Sequence, residues 1–194
     1  MPAYQTLIPV NWDMQGGIRW SQQDGPQGCF TGARLVWGAG LKDETYGMAF
    51  LEPISWGVSN IGPVRFMCIP QDITDAETAL RTYAQVVAQT TQISIESVDR
   101  PAELTPLLEP IQRAWQSAWG GAQARAWVDG IVAKANVRTA TSQNDAYFLV
   151  VTKHVENVIS GGAFRVGRTA IILGFVTPPG QLEDGHPAFG AVLN

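Results

Sequence analysis

The sequence predicts an antiparallel α+β fold: a sheet of about six or seven strands with helices on its faces, in one domain over 1–194. Three observations carry this expectation. Strand-like runs fill the first and last thirds, and helical periodicity is confined to the middle. From Ile131 to Val137 the chain alternates strictly, with Ile131, Ala133, Ala135 and Val137 against Lys134, Asn136 and Arg138. Two helix starts are legible as well, at Thr74 and at Thr105.

In order, "YQTLIPV" reads as a strand that ends at a turn-like "NWDMQGG", and "IRWS" as a short strand before a polar glycine-rich loop. "ARLVWGA" and "TYGMAFLEP" are strands joined through "GLKDE" as a hairpin. In the second of them Tyr46, Met48 and Phe50 oppose Gly47, Ala49 and Leu51, which makes it a central strand covered on both faces. "ISWGVSNIGPVRFMCIPQ" reads as a long irregular connection.

Thr74 and Glu77 have capping-box spacing, and Ala76, Leu80, Tyr83 and Val87 form the apolar stripe of the helix that follows. "QISIESVD" is a strand. Pro106 suits the first turn of a second helix, Pro110 is expected to kink or restart it, and Gly120–Gly121 to close it. Its stripe is Leu107, Leu108, Ile111, Trp115 and Trp119. The last third is a meander of three strands, with Gly130 and Gly167 as candidate bulges, then "PPG" and a terminal helix.

Composition narrows the function classes. Charged residues make up 15%, well below the usual quarter, and the net charge is -4, so no basic cluster exists to hold nucleic acid. No apolar run reaches the roughly 18 residues of a membrane helix. The opening "MPAYQTLIPV" lacks both a charged and an apolar leader segment. Either the chain is cytoplasmic, or it is the body of a periplasmic or secreted protein after its leader; "HPAFGAVLN", a helix pattern cut short, favours trimmed ends. The two cysteines, Cys29 and Cys68, are too few for a zinc site and leave a disulfide or two free thiols open.

Few motifs suggest chemistry. Gly162, Gly167, Arg168 and Thr169 have the spacing of a phosphate-binding loop. However, "TAIILGFVTPP" after them is β-branched and ends at proline, so a strand follows where the loop needs a helix. The stretch reads as a hairpin. His154 and Glu156 share a strand face and form a candidate acid/base pair beside Arg125, against the plainer reading that Thr152, His154 and Glu156 are a solvated face. His186 reads as a cap or surface residue, and the acidic pairs Asp43–Glu44 and Glu183–Asp184 as solvated turns. No serine lies in a nucleophile elbow, and two distant histidines give no reason to expect a metal or cofactor. Among seven tryptophans, Trp127 stands out because Arg125, Trp127 and Asp129 alternate onto one strand face, the best binding patch in the chain.

The order of elements, the opening phrase "YQTLIPVNWDMQGG" and the ending "AIILGFVTPPGQLEDGHPAFGAVLN" resemble the PsbP-like (Mog-like) α/β/α sandwich. The chain is also similar to uncharacterised exported bacterial proteins with a cysteine pair in like places. The resemblance implies a non-enzymatic binding or assembly domain, extracytoplasmic, with Cys29 and Cys68 bonded. It supplies no catalytic residues. The function expected is therefore binding of a protein or small ligand, with a hydrolase using His154 and Glu156 as the alternative. Self-assembly to a homodimer through an exposed strand edge is a third option.

Overall fold

The computed structural model describes residues 13–21, 32–40, 46–60, 69–119, 121, 123–159 and 162–183. The strands are β1 (Asp13–Ser21), β2 (Gly32–Gly40), β3 (Gly47–Phe50), β4 (Ser55–Ser59), β5 (Gln92–Asp99), β6 (Ala124–Arg138), β7 (Gln143–Ile159) and β8 (Gly162–Thr177); the helices are α1 (Ala76–Val87) and α2 (Thr105–Trp119). All strand pairs are antiparallel, in the order β1-β2-β3-β8-β7-β6-β5. β3 and β4 lie end to end along β8, opposite Leu173–Val176 and Phe164–Arg168. The eight strands therefore occupy seven positions, close to the six or seven expected.

The helices cover opposite faces. Tyr147, Leu149 and Val151 of β7 join Leu173 and Phe175 of β8 against Leu104 and the α2 residues Leu107, Leu108 and Ile111. Phe148 and Val150 join Ile131, Ala133, Ala135 and Ile172 against Ala76, Leu80 and Tyr83 of α1. A strand sends alternate residues to opposite faces, so β7 is apolar at every position from Ala146 to Val151 to serve both layers. Each of its large side chains contributes roughly 1.5–3 kcal/mol by burial. The α+β sandwich and the hairpin formed by β7 and β8 stand as expected.

Several local expectations are corrected. Met14–Gly17 is part of β1 rather than a turn, because its pairing with β2 is continuous from Asp13 to Ser21, with Gly16 accommodating a φ of 110°. Ser55–Ser59 is a strand rather than irregular connection, since it completes the outer side of β8 where β3 stops. The N-cap of α1 is Asp75, not Thr74: its carboxylate accepts from the Thr78 amide at 2.8 Å, while Glu77 pairs with Arg81. Aspartate is at least as good a cap as threonine, and a second carboxylate, Asp129, takes the Ala76 amide at 2.8 Å.

α2 runs unbroken through Pro110, preceded by a short 3-10 turn over Ala102–Leu104. Its Trp119 is about half exposed (49%) rather than buried. Neither Gly130 nor Gly167 is a bulge. A Cβ on Gly130 would come within 2.8 Å of Leu108, so this glycine lets α2 approach the sheet. Register shifts lie instead between Ile95 and Ser97 of β5 and between Val151 and Thr152 of β7, where Ala170 of β8 is left without a partner. The second turns the facing set of β8 from odd to even numbers, so Arg165, Gly167 and Thr169 line up with Ile172 on the α1 side.

Candidate functional site

Three cross-strand rows beyond that bulge build the site on the α1 face. The first is Asp129–Thr152–Thr169, the second Trp127–His154–Gly167–Trp56, and the third Arg125–Glu156–Arg165–Val58. Directly opposite residues on adjacent strands lie side by side on one face, so these strands assemble residues that are up to 113 positions apart, Trp56 and Thr169. Both sequence-derived groups, Arg125, Trp127 and Asp129 on one side and His154 and Glu156 on the other, meet here.

The middle row is buried from His154 to Trp56. His154 is fully inaccessible, its ring stacked on Trp127 (4.7 Å between centroids, 3° between planes) and tilted against Trp56 at 5.5 Å. Trp56 fits because Gly167 has no side chain; a Cβ there would overlap the indole. His154 Nε2 and the Thr152 hydroxyl are 2.8 Å apart, and that hydroxyl also lies 3.3 Å from the Asp129 carbonyl to which it donates. The solvated face expected for Thr152 and His154 is thus a sealed one, because α1 and its leading segment cover it.

Burial drives the His154 pKa down to about 4, and Arg165 adds to the fall; Asp129, Asp75 and the Ile73 backbone pull the other way and lose. The imidazole is neutral at pH 7. Trp56 Nε1 has no hydrogen-bond partner among the described residues. An acid/base pair with Glu156 is not assembled, since Glu156 accepts from Arg165 Nη2 at 2.7 Å. Arg165 Nη1 in turn reaches Asp72 at 2.7 and 2.8 Å, tying the segment before α1 to the sheet.

The outer rows reach solvent at Asp129 and along Arg125, Glu156 and Arg165, while Thr152 and Thr169 are buried. Asp129, with its side chain 24% exposed, holds the Ala76 amide and pairs with Arg100 at 3.4 Å. Asp75 beside it would be raised by burial, but the Thr78 amide and hydroxyl, Thr74 and Arg100 hold its carboxyl below the usual value. The exposed Arg125 lies with its guanidinium 5.0 Å from the centre of the Trp127 ring. Glu156, directly opposite, is taken by Arg165, and Arg125 makes no ion pair among the described residues.

Other candidates fall elsewhere. Glu183, expected in a solvated turn, pairs with Lys134 and accepts from the Tyr147 hydroxyl at 3.1 Å. Cys29, Cys68, His186, Asp43, Glu44 and Asp184 lie outside the described residues, as does the expected terminal helix beyond Glu183. No group of three or more metal-ligating side chains occurs among the described residues, and no helix there is long and apolar enough to cross a membrane.

Sequence reasoning missed Trp56, Gly167, Asp72 and Gln112. Gly167 reads from sequence only as a loop or bulge glycine and Trp56 as one tryptophan among seven, because each matters here through the other. Gln112 carried a weak one: it is polar yet one turn from Leu108, beside the apolar stripe of α2. No family model, curated protein or solved structure matches the chain.

Proposed function

We propose that this domain is a non-enzymatic binding or assembly module whose contact surface is the Arg125–Trp127–Asp129 face. The observation that carries the reading is the contrast within one cluster: His154 is closed to solvent between two indoles, while Arg125 is laid open over Trp127. General-base work needs the imidazole within reach of a substrate; Thr152 orients Nε2, but the ring is closed to solvent. A guanidinium held over an aromatic ring is preorganised for a carboxylate, because less side-chain freedom remains to be lost. An extracytoplasmic location, a Cys29–Cys68 bridge and a PsbP-like relationship belong to the same proposal, the last as analogy of fold.

Two measurements test it. A triglutamate peptide titrated into the protein should shift the Trp127 indole N–H resonance, and Arg125→Ala should abolish the shift. Chromogenic acetate and phosphate esters should show no turnover. The Thr152 hydroxyl at 2.8 Å from His154 is the one contact that favours a hydrolase. A hydrolytic rate lost in a folded His154→Gln variant would therefore overturn the non-enzymatic reading. For the bridge, intact mass without reductant should show no alkylatable thiol.

A further inference from the structure

β5 pairs with β6 only from Val132 to Arg138, and after Asp99 the chain turns away towards α2. Apart from a single bridge between Gly121 and Ala124, no strand among the described residues covers the outer edge of β6 from Ala124 to Ile131. Such an edge carries a row of unsatisfied amides and carbonyls that can template another strand. Here a side chain occupies it. Gln112 Nε2 donates to the Ala126 carbonyl at 3.2 Å, and its Oε1 accepts from the Val128 amide at 2.6 Å. A glutamine side-chain amide is chemically a peptide group. By bonding the carbonyl and amide two residues apart, it reproduces what one residue of a neighbouring parallel strand would do.

The same outward groups, on Ala126 and Val128, suit a two-fold antiparallel pairing. Centred on Trp127, that register sets Ala126 opposite Val128 of a second copy, as a hydrogen-bonded pair. It sets Arg125 opposite Asp129, and Trp127 opposite itself. The charges complement each other, Arg125 has no ion pair of its own among the described residues, and an aromatic cross-strand pair sits on the axis. We propose that the Ala124–Ile131 edge is a closed self-association site: Gln112 fills it as a surrogate strand, and its withdrawal lets two copies of this chain join antiparallel about Trp127. This rests on the reading of Arg125, Trp127 and Asp129 as the contact surface.

Sedimentation equilibrium from micromolar to submillimolar concentration tests it on wild type, Gln112→Ala and Gln112→Glu. Gln112→Ala should dimerise at least about tenfold more tightly than wild type. Gln112→Glu, which still accepts from Val128 but cannot donate to Ala126, should fall between them and decides the matter if the alanine variant does not fold. Adding Val128→Pro removes an outward amide without touching the β6–β7 ladder, and should return the protein to monomer. Variants that remain monomeric with native circular dichroism overturn the proposal, and so does a dimer that survives Val128→Pro. Should both Gln112 variants stay monomeric while triglutamate still shifts Trp127 in wild type, self-pairing fails and the binding surface stands; loss of both results removes both.

Discussion

Between Ala146 and Val151, β7 gives Ala, Tyr, Phe, Leu and Val to two apolar layers; further along, Thr152, His154 and Val155 are just as deeply buried, yet Thr152 and His154 are polar. The first half is held by many interchangeable contacts. The second depends on a few specific ones: a glycine that admits an indole, a hydroxyl between an imidazole and a carbonyl, and a neutral histidine stacked on Trp127. Equal burial therefore conceals unequal tolerance. An apolar core can relax around a lost methyl group, whereas a polar core leaves orphaned groups when one member goes.

The sharpest way to break this contrast is inside β8, which carries a glycine in each half. Gly167→Val forces side-chain atoms into the Trp56 ring and should cost about 3–4 kcal/mol in urea unfolding, at or above the usual overpacking range. Leu149→Ala in the apolar half should cost about 3 kcal/mol, with a native near-UV spectrum retained. The pH dependence separates the halves further. His154 has a folded pKa of about 4 against 6.5 unfolded, so the unfolded chain takes up the proton first as pH falls. Stability should drop by about 3 kcal/mol between pH 6.5 and pH 4, and His154→Gln should flatten that part of the profile. A profile already flat in wild type would mean that His154 is charged or accessible when folded.

Smaller effects should refine the picture. Thr152→Val keeps the shape but removes the group that His154 Nε2 meets, and is expected to cost about 1–2 kcal/mol. Gly174→Ala, whose Cβ would sit 3.2 Å from the Phe148 ring edge, should cost only about 1 kcal/mol. If Gly167→Val proved no worse than Gly174→Ala, the idea that the polar half is the more tightly specified would not survive.

Much of the frame was legible before any coordinates. Tyr46, Met48 and Phe50 share the α2 face with Leu51 on the other, as alternation indicated. The stripe of α1, the single strand over Gln92–Asp99 and the β7–β8 hairpin follow from local pattern too. The false phosphate loop was also exposed by local chemistry, because β-branched residues after Thr169 cannot supply a helix N-terminus. His154 was misread for an equally physical reason. A strand that alternates Thr, His and Glu looks solvated unless something covers it, and its cover comes from Trp56 and the segment leading into α1.

The sequence by itself determined most of the strands and helices, β4 and the start of β1 excepted, since period-two alternation, helical stripes and the Pro106 start act over a few residues. It also determined that Arg125, Trp127 and Asp129 share a face, because on one strand that is a matter of parity. Only the tertiary structure decided which carboxylate each arginine would take, that Glu156 would serve Arg165 and leave Arg125 open, and that Gln112 would close the β6 edge. Those outcomes turn on strand register, including the unpaired Ala170, and on where a helix settles across the sheet. Register is fixed by the summed packing of whole faces, so no window of the chain contains it.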